Sequence, residues 1–252
     1  MTAPIIPGCE PASYSGGPNG VLVLHGFTGS PGSMRGVAEA LANHGYTVEM
    51  PLLPGHGTSV EDMTTTTFAD WSAAAEEALE LLKSSCGSVG VVGLSMGGTL
   101  TAWLAERHPE LVGAAFVNPL VEPVPAEMTE GVQALLDAGE VTVESIGSDI
   151  AKEGVQELSY PATPLRPLVS LFSAVAEVGS KLGTISCPML LLSSREDHVV
   201  PPSNGDHLVA SATAPVERIW LERSYHVATQ DHDRELVESQ VIAFFDRVFA
   251  QA

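Results

Sequence analysis

Six short apolar runs punctuate this chain, and most of them give way to a stretch with helical spacing. They are VLVLHG (21–26), YTVEMPLLPGHG (46–57, running into a loop), VGVVGLS (89–95), LVGAAFVNP (111–119), CPMLLLSS (187–194) and VERIWLE (216–222). Runs this short and this uniformly apolar suit strands buried on both faces, which occur where helices cover a parallel sheet. Helical spacing follows over 29–43, 68–83, 96–107, 202–212 and 232–250, with Asp70 early and Lys83 late in the second, as a helix dipole favours. The alternation predicts an α/β fold: a mostly parallel sheet with helices on both faces.

One segment breaks the rhythm. Between Pro119 and Ile185 the chain has amphipathic patterns (EMTEGVQALLDAG, RPLVSLFSAVAEV) and several prolines but no convincing strand. Lying between two core strands, it is expected to form a helical cap over the C-terminal edge of the sheet, where open α/β sheets bind ligands. The expected division is a core of residues 1–120 and 184–252 with a cap insertion over 121–183. Residues 7–20, rich in Pro, Gly and Ser, read as a surface arm.

Composition narrows the function classes. A 252-residue chain with 44 % hydrophobic residues can bury one sizeable core. Its formal net charge of −20 opposes phosphate backbones, so nucleic acid is not an expected partner. Cys9, Cys86 and Cys187 have neither metal-ligand spacing nor an even count, which argues against a disulfide framework and for a reducing compartment. The N-terminus has no signal-peptide pattern, no run reaches membrane-span length, and the expected location is cytoplasmic.

The corner VVGLSMGGTL (91–100) concentrates the chemistry. Gly93-Leu94-Ser95-Met96-Gly97 matches G-x-S-x-G, although a chain with 24 glycines in 252 residues produces a bare match about 0.2 times by chance. Its setting is more telling, because a buried strand turns here directly into a helix, as a nucleophile elbow requires. The missing Cβ atoms of Gly93 and Gly97 let backbone pass close on both sides, and the helix aims free N–H groups at the corner.

A serine hydroxyl needs a base, and the base needs an orienting acid. Such folds order them Ser, Asp/Glu, His. Among the downstream histidines His108, His198, His207, His226 and His232, His226 follows the strand VERIWLE and so shares the C-terminal edge with Ser95. His108 is too local to reach back, and His232 falls in the last predicted helix. The acid is expected at Asp197, in SSREDHVVPP after CPMLLL, with Glu196 beside it. Two backbone N–H donors for a tetrahedral intermediate are expected from Met96 and from Phe27 in the loop after the first strand. His25 reads as an anchor for that loop. Gly55-His56-Gly57 and Asp231-His232-Asp233 lack partners for a metal, and no dinucleotide or P-loop fingerprint is present, so neither metal nor organic cofactor is expected.

Taken together, HGFTGSP, GLSMGG, SSREDHVVPP and SYHVATQD resemble the bacterial monoacylglycerol lipase and carboxylesterase family of the minimal α/β-hydrolase fold, in order and over about residues 20–248. The resemblance implies nucleophile, acid and base at Ser95, Asp197 and His226 and oxyanion donors at Phe27 and Met96. It also implies two contacts from SIGSDIAKEGVQELSYPATP (145–164): Glu157 meeting glycerol hydroxyls and Ile146 lining the entrance. The implied substrate is a small lipid ester, with monoacylglycerol favoured over the short- to medium-chain esters of a general carboxylesterase. An exposed apolar cap would serve transient contact with lipid aggregates or a second subunit equally well.

Overall fold

The computed structural model describes residues 3–251. Its elements run β1 (Ala12–Tyr14), β2 (Asn19–Leu24), α1 (Arg35–Asn43), β3 (Thr47–Met50), α2 (Val60–Thr64), α3 (Phe68–Ser85), β4 (Ser88–Leu94), α4 (Met96–Ala105) and β5 (Ala114–Val117). There follow α5 (Ala126–Asp137), β6 (Thr142–Glu144), β7 (Ala162–Pro164), α6 (Leu165–Gly179), β8 (Met189–Ser194), α7 (Ser203–Ser211), β9 (Val216–Leu221) and α8 (Arg234–Phe249). Seven strands form one sheet in the order β1-β3-β2-β4-β5-β8-β9. Every pairing in it is parallel except β1 with β3.

The uniformly apolar strands are apolar because both faces are covered. On one face Leu22, Leu24, Val89, Val91, Phe116 and Leu191 meet α3, α4 and α6 through residues such as Trp71, Leu79, Leu100, Leu171 and Val175. On the other, Val21, Val23, Val92, Leu94, Val117 and Leu192 meet α1 and α8 through Val37, Leu41, Val241, Phe244 and Phe245. Each fully buried aliphatic or aromatic side chain contributes roughly 1.5–3 kcal/mol of transfer free energy. The side-chain period of two therefore builds two cores, and the chain between them is the sheet. Asp70 completes the start of α3 by accepting the Thr67 N–H at 2.8 Å.

Three expectations are corrected. The proline- and glycine-rich arm contains β1, which covers the β3 edge in antiparallel register, Ser13 opposite Glu49; such a strand carries only three residues, too few to show alternation. The segment between β5 and β8 contains a two-stranded hairpin, β6 with β7, hidden by the proline at its end, which sits where an edge strand tolerates it. His232 precedes α8, which begins at Arg234. The metal-like pattern around it is otherwise employed. Asp231 accepts four backbone N–H groups, from Ala151, Lys152, Tyr225 and His232, and Asp233 holds Arg223 and Ser224. Cys9, Cys86 and Cys187 are free thiols, with Cys9 and Cys187 buried. Among the described residues no helix is long and apolar enough to cross a membrane.

Candidate active site

Ser95 stands between β4 and α4 with φ 56° and ψ −117°. An L-residue held there costs about 1–3 kcal/mol, which persists only where the surroundings over-determine it. The surroundings do so here. A Cβ on Gly93 would lie 2.1 Å from the Gly97 carbonyl oxygen, and one on Gly97 would lie 2.2 Å from that of Leu24. Strand and helix can cross this closely only through the two glycines. The Ser95 N–H donates to Val117 O at 3.1 Å, and its carbonyl accepts from Gly98 and Thr99. Among the described residues the other non-glycine positions with positive φ, Thr28 and Asn118, follow the C-terminal ends of β2 and β5, the neighbours of β4. Strain is thus gathered at one edge.

Two further loops bring their side chains to the same edge. Asp197 follows β8 and His226 follows β9, and His226 Nδ1 lies 2.8 Å from Asp197 Oδ2. The other Asp197 oxygen accepts the N–H groups of Val199 and Val200 at 2.9 and 2.7 Å, so the carboxylate is aimed by its own turn. With only 2 % of the Asp197 side chain and 9 % of the His226 side chain exposed, the pair is shielded from solvent. Burial opposes a charge on His226. The carboxylates of Asp197, Glu157 and Asp149 outweigh it and hold the imidazole pKa above its ordinary value.

The loop after β2 closes the other side of Ser95. A Cβ on Gly26 would stand 3.4 Å from Ser95 Cβ and 3.9 Å from Oγ, so Phe27 begins directly beside the hydroxyl. Met96 is the first residue of α4, where an N–H has no partner inside the helix. His25 anchors this loop as expected: its Nδ1 lies 3.0 Å from Gly26 O and its Nε2 accepts the Leu53 N–H at 3.2 Å. Burial lowers its pKa to about 4, which keeps the ring neutral and able to accept.

The segment between β5 and β8 reaches this edge at two points. Glu157 places a carboxyl oxygen 2.8 Å from where a Cβ on Gly29 would stand. Its pKa is raised by burial, against the pull of His226 and of the nearby Ser33 hydroxyl. Tyr160 N–H donates to Thr28 O at 3.0 Å, pinning the same stretch to the loop after β2. Ile146 is not packed into the site; 72 % of it is exposed, just beyond β6. Asp149 accepts the His226 N–H at 3.0 Å and the His198 N–H at 3.1 Å.

Two contributors lay outside the sequence reading. Asn118 donates from Nδ2 to Ser194 Oγ and to His226 O at 2.9 and 2.8 Å while Oδ1 accepts the Ser194 N–H at 2.7 Å. It ties the ends of β5 and β8 to the histidine loop. Its one signal was its place just past an apolar run. Asp149 lay in a stretch with no periodicity. The remaining histidines are used elsewhere: His108 pairs with Glu76 and Glu110, and His207 Nε2 lies 3.1 Å from Gly179 O. A cavity of about 400 Å³ is lined by residues on both sides of α2, among them Leu52, His56 and Thr66, and none of Ser95, Asp197 or His226 lines it.

A parallel sheet with a strained serine at the turn into its central helix, and an Asp–His pair on later loops of the same edge, defines an α/β-hydrolase. Comparison with known proteins places it more closely. Residues 18–233 match the family described as serine aminopeptidase, S33 (Hydrolase_4), and the chain belongs to that family. It is 45 % identical to the thermostable monoacylglycerol lipase of Bacillus sp. (strain H-257) over 247 residues, covering 96 % of each chain. It is 27 % identical to the carboxylesterase of Bacillus subtilis (strain 168), covering 95 % of this chain and 97 % of that one. Among solved structures, one reported for the metagenome-derived lipolytic enzymes LipS and LipT superposes with a TM-score of 0.93 at 41 % identity, covering 97 % of this chain and 100 % of the other. The monoacylglycerol lipase of Paleococcus ferrophilus shares the fold, with a TM-score of 0.80 at 17 % identity over 94 % of this chain and 98 % of its own.

Proposed function

We propose that this hydrolase releases fatty acid and glycerol from monoacylglycerols through an acyl-enzyme on Ser95. The observation that carries the reading is the buried His226–Asp197 pair, 2.8 Å apart, at the edge where Ser95 is held at positive φ. In the first half-reaction His226 takes the Ser95 proton as Oγ attacks the ester carbonyl, and gives it to the departing glycerol oxygen. In the second, His226 takes a proton from water as its oxygen attacks the acyl carbon, then returns that proton to Ser95 Oγ as the bond between Oγ and the acyl carbon breaks and the fatty acid leaves. Asp197 holds the ring in the tautomer with its free Nε2 toward the serine. The N–H groups of Phe27 and Met96 bind the oxyanion of each tetrahedral intermediate, a contribution of roughly 2.7–4 kcal/mol per donor in comparable sites.

The substrate assignment rests on Glu157. A carboxyl group beside Gly29 and near His226, at the edge that holds Ser95, can accept hydrogen bonds from the hydroxyl groups of a glycerol leaving group. Residues 121–183 act as a cap on a core of 1–120 and 184–252, with Ile146 on the rim of its entrance. The cap exposes Met128, Leu135, Val141, Ile146 and Leu158, an apolar set suited to transient contact with lipid aggregates. The enzyme works in the cytoplasm.

A general carboxylesterase is the second reading, supported by the near full-length match to the Bacillus subtilis carboxylesterase. Fatty-acid release from monoolein, diolein, triolein and a short-chain ester, each with Ser95→Ala as control, separates the two. Preference for monoolein, lost in the variant, is the expected result. Activity confined to the short ester moves the function to the carboxylesterase, and turnover that survives Ser95→Ala overturns the mechanism.

A further inference from the structure

We infer that Asp149 is a positioning residue that binds the acid loop and the base loop to each other, making the alignment of Asp197 and His226 depend on a side chain from the segment between β5 and β8. The inference rests on the assignment of Ser95, Asp197 and His226 given above.

The geometry is a three-way clasp. Asp149 Oδ2 accepts two backbone N–H groups, from His226 at 3.0 Å and from His198 at 3.1 Å. Asp149 Oδ1 accepts from His198 Nδ1 at 2.8 Å. The Asp149 carbonyl accepts the next N–H of the base loop, from Val227, at 3.1 Å. His198 adjoins Asp197 in the chain, and His226 is itself the base. One carboxylate oxygen therefore bridges the loop after β8 to the loop after β9 at the two residues whose contact matters. The neighbours repeat the link: the rings of His198 and Tyr225 meet edge to face with centroids 4.5 Å apart.

Such a clasp is placed where misalignment is costly. The Asp197–His226 contact is a single hydrogen bond between loops 29 residues apart. A displacement of about 1 Å in such a contact can cost on the order of a hundredfold in rate. Only 11 % of the Asp149 side chain is exposed, so water does not readily replace its bonds. Asp149 also adds negative charge beside His226, together with Asp197 and Glu157, while His198 on its other side is itself raised by Asp149.

The test compares the full-length wild type with Asp149→Ala, Asp149→Asn and Ser95→Ala on monoolein and on p-nitrophenyl acetate, with circular dichroism for each. The amide keeps the shape and can still accept the two backbone N–H groups, but removes the charge. Asp149→Ala is expected to lower kcat by roughly tenfold to a hundredfold on both esters with KM changed less than about twofold. Asp149→Asn is expected to lose less, and to move the acid limb of its kcat/KM profile to lower pH, because one of three carboxylates facing His226 is gone. A merely structural contact moves stability and leaves that limb in place. Wild-type kcat and an unmoved limb in folded Asp149→Asn overturn the proposal, whether or not Asp149→Ala folds. A loss seen only as KM for monoolein also overturns it, because Asp149 then serves the ester pocket. Failure of the underlying mechanism shows separately, as turnover in Ser95→Ala.

Discussion

At Ser95 the backbone carries the strain and the neighbours carry the burden of keeping it. In the proposed mechanism the hydroxyl becomes a nucleophile only when His226 can accept its proton, so the charge state of one ring would govern the rate. Burial alone would lower the His226 pKa, but the facing carboxylates raise it above 6.5. The base must be neutral in the free enzyme, so kcat/KM is expected to fall tenfold per unit as pH drops through a limb lying above 6.5. Asp197→Asn removes the principal cause of the elevation and is expected to shift the limb down while cutting kcat by about 10⁴, as loss of the orienting carboxylate does in other triads. A pH–rate profile of both proteins decides it, and an unmoved limb in the variant would mean another group titrates. At this scale the sequence was most legible. Ser95, Asp197 and His226 each follow an apolar run, and their chain order narrowed the choice among five histidines. Asn118 and Asp149 were illegible for one shared reason. Each earns its role from groups more than 48 residues away, His226 for Asn118 and His198 for Asp149, and neither belongs to a periodic pattern.

The elements were legible where burial imposes a period. Strands covered on both faces and helices with one apolar stripe announced themselves, whereas β1 and the β6–β7 hairpin, three residues per strand, are held by register rather than by a hydrophobic pattern. Helix α4 shows a different tension. It begins at the elbow and ends next to Glu106, whose side chain is only 3 % exposed and whose Oε1 has no hydrogen-bond partner. Burial raises its pKa to about 7, against attraction from Arg107 and Lys181. Unfolded, the carboxyl gives up its proton near 4.5; folded, it holds it to about 7. The folded state therefore binds the extra proton in that interval, and stability is full below 4.5 and declines as pH rises through 7. Discounted for partial solvent screening, the loss is on the order of 1 kcal/mol. Glu106→Gln is expected to melt about 2–4 °C above the wild type at pH 8 and to show no such gain at pH 4.5. Equal melting temperatures at both pH values would place the carboxylate in a wetter setting.

The whole molecule adds a field that no single element reveals. With a net charge of −20, the molecule as a whole is repelled by anionic surfaces, while the segment between β5 and β8 exposes apolar side chains and α5 buries none of its own. Approach to a lipid surface then sets apolar attraction against long-range repulsion. Monoolein in zwitterionic phosphatidylcholine vesicles is expected to be hydrolysed faster than the same ester in anionic phosphatidylglycerol vesicles at low salt. The gap should close as the screening length shrinks from about 10 Å at 0.1 M to about 3 Å at 1 M. Equal rates at low salt would show that the approaching face does not feel the global charge.

The two carboxylates that cross between this segment and the histidine loop run in opposite directions. Asp149 leaves the segment to hold His226, and Asp231 leaves the loop beyond His226 to hold Ala151 and Lys152. A segment that carried one half of this exchange without the other would arrive on a core unable to receive it. The segment between β5 and β8 is therefore not a detachable module set on a generic core. A swap of residues 121–183 for those of a relative is expected to fold and act only if the donor's counterpart of Asp149 and the recipient's Asp231 travel as a matched pair, so this segment and the loop carrying His226 must be inherited together.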